Sequence, residues 1–269
     1  MKTAPEIKLM GIVNVTPDSF SDGGLFANTD DAVDQALRLI ADGADILDIG
    51  GESTRPYSTT VSVDEELSRI VPVITGIRTF SDIPVSIDTM KAEVAREALL
   101  AGATIINDVS ALRHDPAMMD LVRDTDVTLI IMHMKGTPGT MQDNPEYEDV
   151  VEEIISFFQE RLTMLASEEI DLKRVVIDPG IGFGKTLNHN LLILRHFEKL
   201  SSLGQPVLLG HSRKRFLGEI TGIATADRDL VTAVVSSLCR EKKVSIMRVH
   251  DVAATRSALQ VSQAISQVH

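Results

Sequence analysis

The run PVSIDTMKAEVAREALLAGATIIND, residues 84–108, decides the fold. It opens on an apolar stretch of strand length, 84–87. A helical pattern follows at 91–101, and Gly102 stands where that helix must stop. A second apolar stretch, 104–106, comes directly after. The two stretches are continuous rather than alternating, which suits parallel strands covered on both faces. Strand, helix and parallel strand make a right-handed crossover unit.

The same unit recurs in both directions along the 269 residues. Further apolar runs lie at 9–15, 45–49, 128–132, 175–177, 206–209 and 245–249. Helical patterns separate them at 30–42, 63–79, 116–123, 147–167, 188–201 and 227–242, and one at 253–267 closes the chain. Ala32, Ala36, Leu37 and Ile40 show the helical spacing in the first of these. Gly43 and Gly204 repeat the stop signal. Eight strand–helix alternations predict a closed (β/α)8 TIM barrel rather than an open doubly wound sheet. No linker-like tract interrupts the series, so a single α/β domain over 1–269 is expected. The longest irregular stretches, 16–28 and 52–62, both follow a strand, at the face where barrel enzymes keep their chemistry.

Composition narrows the function. The net charge of −13 argues against a general nucleic-acid or anionic-membrane surface, so an anion would bind only where basic residues cluster. The single cysteine, Cys239, excludes an internal disulfide and a cysteine-rich zinc site, and is expected to be a buried structural thiol. No secretory core and no run of about 20 apolar residues is present, which fits a cytoplasmic protein.

Polar residues recur at the carboxyl ends of the strands: Asn14; Glu52, Thr54 and Arg55; Ser86 and Asp88; Asn107 and Asp108; His133; Asp178; His211, Ser212, Arg213 and Lys214; Arg248 and His250. Any one of them could be a turn former. Eight strands behaving alike point to a polar pocket at one barrel mouth, with a ligand to satisfy it. Asn107 and Asp178 could match a flat aminopyrimidinone. Arg55, Lys214, Arg248 and His250 suit a phosphate-like anion.

Two other readings are weaker. DPGIGFGKT (178–186) lacks the glycine that a Walker loop needs at Pro179. His133, His211, His250 and Asp88 could suggest a zinc hydrolase, but the first strand end has no His-x-His pair.

NVTPDSFSDGG (14–24), GGESTRP (50–56), SIDT (86–89), INDVSA (106–111), MHMKGTPGTMQ (132–142), IDPGIGFGK (177–185), SRKRFLG (212–218) and RVHDV (248–252) resemble, in order, the signatures of the dihydropteroate synthase family. The resemblance implies transfer of a dihydropterin from its pyrophosphate to p-aminobenzoate, and a sulfonamide target. It implies a pterin pocket of Asp88, Asn107, Met132, Asp178, Lys214 and Arg248. It implies a pyrophosphate site of Asn14, Arg55, Arg248 and His250, and an amine pocket of Phe20, Thr54, Pro56, Phe183, Ser212 and Arg215. Asp88, Lys214, Arg55 and Asp178 would carry catalysis. Mg2+ would sit near Asn14 and Asp22, and the protein would be a homodimer. Tyr57 stands where the family often has glycine, and Arg215 where many members have serine. A related pterin-binding barrel that methylates a corrinoid protein would share the Asp and Asn contacts, but has no use for a pyrophosphate site. A catalytically dead pterin or folate binder would be expected to lack Asp88, Lys214 or Arg55, and all three are present.

Overall fold

The computed structural model describes residues 7–16, 25–53, 60–136, 139, 141 and 143–268. Strands and helices alternate: β1 (Lys8–Asn14), α1 (Leu25–Ala41), β2 (Ile46–Gly50), α2 (Val63–Arg78), β3 (Val85–Asp88), α3 (Ala92–Leu100), β4 (Ile105–Asp108) and α4 (Ala117–Arg123). Then come β5 (Thr128–Met132), α5 (Val150–Ser167), β6 (Val175–Asp178), α6 (Leu187–Arg195), β7 (Leu208–Leu209), α7 (Arg215–Thr221), α8 (Asp229–Cys239), β8 (Ile246–Val249) and α9 (Val252–Ser266). The strands run parallel in the order β6-β5-β4-β3-β2-β1-β8-β7. A bridge between Ile177 and Val207 joins the two ends and closes the ring.

Strand alternation sorts the apolar side chains into two cores. Met10, Ile46, Ile105, Ile130, Val176, Leu208 and Ile246 cluster along the barrel axis as a plug. Their neighbours Leu9, Leu47, Ile106, Leu129, Ile177 and Leu209 pack outward with Ile70, Ile74, Phe158 and Phe197 of the helical shell.

The structure revises several expected boundaries. α1 begins at Leu25, inside the stretch expected to be irregular. The helix expected from 147 starts at Val150, because the Asp149 carboxylate accepts from the amides of Val151 and Glu152 at 2.9 and 3.2 Å and caps it there. The pattern at 188–201 divides into α6 and a 3₁₀ turn, Phe197–Leu203, ended by Gly204 at φ 78°. α7 was not predicted, because two turns with only Phe216 and Leu217 buried are too short to show a period. Cys239 is buried as expected, and burial pushes its thiol up to about 11.

Candidate active site

Two residues beyond the plug, the same face turns polar on β2, β4, β6 and β8, while β5 offers a methionine and the end of β7 a glycine. Ile46 is followed by Asp48, Ile105 by Asn107, Ile130 by Met132, Val176 by Asp178, Leu208 by Gly210 and Ile246 by Arg248. The period of two that fills the plug thus carries these residues to the carboxyl end of the barrel. Ser86 and Asp88 join them from β3 through the pairing of Asp88 with Asn107 and of Gly50 with Asp88.

Arg248 organises this layer. Its Nε donates to Asp48 Oδ2 at 2.5 Å, and its Nη2 donates to Asp88 Oδ2 at 2.7 Å. Asn107 Nδ2 stands 3.4 and 3.5 Å from the two oxygens of Asp48. Asp48, Asp88 and Asn107 are all buried, at 0%, 7% and 4% exposure, so one guanidinium supports two carboxylates with little water to screen them. Both carboxylates hold Arg248 firmly protonated against its burial. Burial pushes Asp88 up to about 7, with Arg248 pulling the other way and Asp48 adding to the rise. Its second oxygen, Oδ1, is buried and has no hydrogen-bond partner among the described residues.

Asp178 forms the facing wall. Its Oδ1 accepts from the Gly180 amide at 2.8 Å. A side chain at Gly210 would meet Oδ2 at 3.4 Å, so glycine leaves that oxygen approachable. Burial raises the Asp178 pKa, and the Gly180 amide and then Lys214 oppose the rise. Lys214 packs its methylenes on Gly182 and places Nζ 4.0 Å from the centre of the Phe183 ring. Phe183 and Met90 border a patch of Val109, Met132, Met134 and Met141, which gives the slot an apolar face.

The other predicted residues divide. Asn14 ends β1 opposite Gly50, beside Asp88. Ser212 Oγ lies 2.9 Å from His250 Nδ1 and accepts from the His250 amide at 3.1 Å, which pins the ring to the end of β7. Burial, with Arg213 and Arg248 adding to it, pushes His250 down to about 3, so it is neutral. Ser212, expected in the amine pocket, is thus bonded to His250, expected at the pyrophosphate. Arg215 is not brought in: its side chain is 81% exposed and paired with Glu219 at 2.7 Å. Phe20, Asp22, Thr54, Arg55, Pro56 and Tyr57 lie outside the described residues.

Three polar strand ends do not face the mouth. Asp108 binds the amides of Ser110 and Leu112 at 2.7 and 2.9 Å, as a turn former does. His133 follows inward-facing Met132 and turns out against Phe157, 5.0 Å between ring centres. His211 turns out against α8, with Nε2 2.8 Å from Ser236 Oγ and 3.1 Å from Thr232 O. Alternation explains all three, since a residue next to an inward one points outward. Among the described residues no three His, Cys, Asp or Glu side chains gather as a metal cage, so the zinc grouping is not assembled. Lys185 is 3% exposed and held inside the protein, which removes the Walker reading.

Sequence reasoning missed Asp48. The signal was available: an acid inside the strand ILDIG, expected to be buried on both faces, needs a buried cation. It named Met132 but missed Met90, Met134 and Met141 of the apolar face. A cleft of about 720 Å3 lies at the other barrel end, ahead of β6 and β7, and holds none of the predicted site residues.

A (β/α)8 barrel with two carboxylates on one guanidinium, an amide, and a facing carboxylate beside an apolar wall defines a barrel that holds a flat, hydrogen-bonding heterocycle. A family model described as pterin binding enzyme matches residues 10–250. Dihydropteroate synthase of Neisseria meningitidis serogroup B is 44% identical over 264 residues, covering 96% of this chain and 92% of the relative. The solved dihydropteroate synthase of Xanthomonas albilineans with 4-aminobenzoic acid superposes with a TM-score of 0.92 at 48% identity, covering 98% of this chain and 94% of that one. The same enzyme in complex with 7,8-dihydropteroate gives 0.89 at 45% identity, with 99% and 96% covered. This chain belongs to the dihydropteroate synthase family of pterin-binding enzymes.

Proposed function

We propose that the chain joins 6-hydroxymethyl-7,8-dihydropterin pyrophosphate to p-aminobenzoate, giving 7,8-dihydropteroate and pyrophosphate. The observation that carries this reading is the Asp48–Arg248–Asp88 bridge facing Asp178 across an apolar slot. Asp178 Oδ2 and Asp88 Oδ1 accept N–H groups of the pterin, and Asn107 pairs with a further polar group on its edge. Met132 and the guanidinium plane of Arg248 cover its faces, with Lys214 at the rim. Asn14, Arg248, His250 and Arg55 take the pyrophosphate, His250 as a neutral imidazole.

The methylene carbon, conjugated to an electron-rich ring, releases pyrophosphate with the C–O electron pair, so positive charge grows on the pterin before the amine nitrogen bonds that carbon and gives up a proton to the departing pyrophosphate or to water. Asp88 is placed to stabilise that charge, since its buried Oδ1 has no described protein partner. The amine of p-aminobenzoate is unprotonated near neutral pH, so the site needs no strong base. Phe183 and the two long loops, with Phe20, Thr54 and Pro56, exclude water that would trap the cation.

Mg2+ would be held by the substrate phosphates, Asn14 and Asp22, and would neutralise charge on the leaving group. An amide oxygen at the mouth suits an ion that prefers few protein ligands and several phosphate or water oxygens. The test mixes protein, dihydropterin pyrophosphate and Mg2+ with and without p-aminobenzoate. Amine-dependent pyrophosphate release is expected, and chelation should abolish turnover while leaving binding of a simple pterin unchanged. Release that ignores the amine would replace the synthase reading with hydrolysis.

The chain would act in the cytoplasm as a homodimer. Leu230, Val234 and Leu238, spaced by four on α8, are exposed, as are Val261 and Ile265 of α9, the helix packed against it. An apolar stripe of that kind supports an interface between copies.

A further inference from the structure

The turn after β6 carries a lysine for which the pterin and pyrophosphate sites have no use. Lys185 lies beneath that turn, with Nζ 3.0 Å from His133 Nδ1, 2.9 Å from the Phe183 carbonyl and 3.3 Å from the His133 carbonyl. Three acceptors match the three hydrogens of an ammonium, which a buried lysine needs if it is to stay charged. Burial pushes Lys185 down to about 7, and Asp178 opposes that fall. His133 is pushed down to about 2 by burial and then by Lys185 and Arg113, so it stays neutral and accepts at Nδ1.

These bonds join the end of β5 to the turn after β6. Other contacts close the same seam. The His133 amide donates to Asp178 O at 2.9 Å, and Tyr147 Oη donates to Gly184 O at 2.8 Å. Gly180, at φ 68°, would drive any Cβ into the His133 carbonyl. The Phe183 amide donates to Gly180 O at 3.0 Å, so the residue is bounded on both of its peptide groups. Its side chain leaves the seam on the mouth side, where the ring meets the methionine patch and Lys214.

We propose that Lys185 is a positioning residue: by holding the Phe183 and His133 carbonyls it aims the Phe183 ring at Lys214 and sets the wall that receives the arylamine. The arylamine clause rests on the reaction proposed above; the aiming of the ring does not. Two measurements separate the two. In the first, kcat and KM for p-aminobenzoate are taken for the whole enzyme, Lys185→Met, Phe183→Ala and the double variant. Lys185→Met should raise KM about tenfold with kcat within about threefold, and the double variant should be no more than about threefold worse than Phe183→Ala. An unchanged KM, or losses that multiply in full, overturns the proposal. In the second, the protein carries 4-fluorophenylalanine, and the fluorine line of residue 183 is identified by its loss in Phe183→Ala. That line should shift in Lys185→Met; an unmoved line overturns the aiming role whatever the activity shows. If wild-type protein shows no amine-dependent release while the line shifts, the reaction falls and the positioning stands. Should Lys185→Met fail to fold, Lys185→Gln takes its place in both measurements. Failure of both to fold would overturn the assignment, because a residue that only aims a ring is not required for folding.

Discussion

Asp48 holds Arg248 and approaches Asn107 from below the mouth, although it makes no ligand contact in the proposed reaction. Replacing it with the isosteric Asn leaves Arg248 with one carboxylate instead of two. Removing one partner of a buried charge pair commonly costs a few kcal/mol, so pterin affinity should fall by about tenfold to a hundredfold. Titration calorimetry on Asp48→Asn reads this directly, and wild-type affinity would show that the guanidinium needs no lower support. A pH series tests Asp178. Its pKa is raised, so its carboxylate persists above that value and is lost as pH falls through it. A pterin whose N–H groups need that carboxylate should therefore bind less tightly on acidification, the loss beginning above the ordinary aspartate value of about 4. Affinity that stays flat down to pH ~4 would remove Asp178 from the pterin edge.

The turn after β6 shows what glycine does at the level of an element. Gly180 and Gly204 both have left-handed φ, 68° and 78°. Only Gly180 is also crowded, since a Cβ at Gly204 would meet nothing within 4 Å. Gly204→Ala should then cost about 1 kcal/mol of backbone strain, and Gly180→Ala should cost several kcal/mol or fail to fold. Denaturant unfolding compares the two, and equal losses would mean that the approach to His133 carries no constraint. Strand identity was legible in the sequence because two-sided burial leaves unbroken apolar runs. Helix starts were less legible, as at α5, where Asp149 rather than an apolar residue decides the first turn. The inward polar residues Asp88, Asn107, Asp178 and Arg248 could be named from their place at strand ends. His133 and His211 could not be sorted from them, because a strand end does not show which face each residue takes until the register is known. Asp48 was hidden for the opposite reason: it lies within a strand, where a polar residue was not sought.

At the scale of the molecule, the acidic chain brings Arg248 and Lys214 to the barrel mouth and exposes a run of apolar groups on α8 and α9. Leu238 is 71% exposed in that stripe. If the stripe joins two copies, Leu238→Asp should shift the protein from dimer to monomer in analytical ultracentrifugation at micromolar concentration. Loss of a buried large apolar side chain and burial of a charge each oppose such an interface by a few kcal/mol. A variant that stays dimeric would place the contact elsewhere.

The contrast between the buried floor and the open rim bears on how an antifolate would age in use. Asp48, Asp88, Asn107 and Arg248 are bonded into one buried network, so a change to any of them is expected to damage the enzyme before it can exclude a drug. Arg215 is solvent-exposed and pairs with Glu219, so selection can replace it at little cost to folding. A compound anchored on the floor leaves a microbe few tolerable escapes, whereas one that reaches past the rim meets positions free to vary.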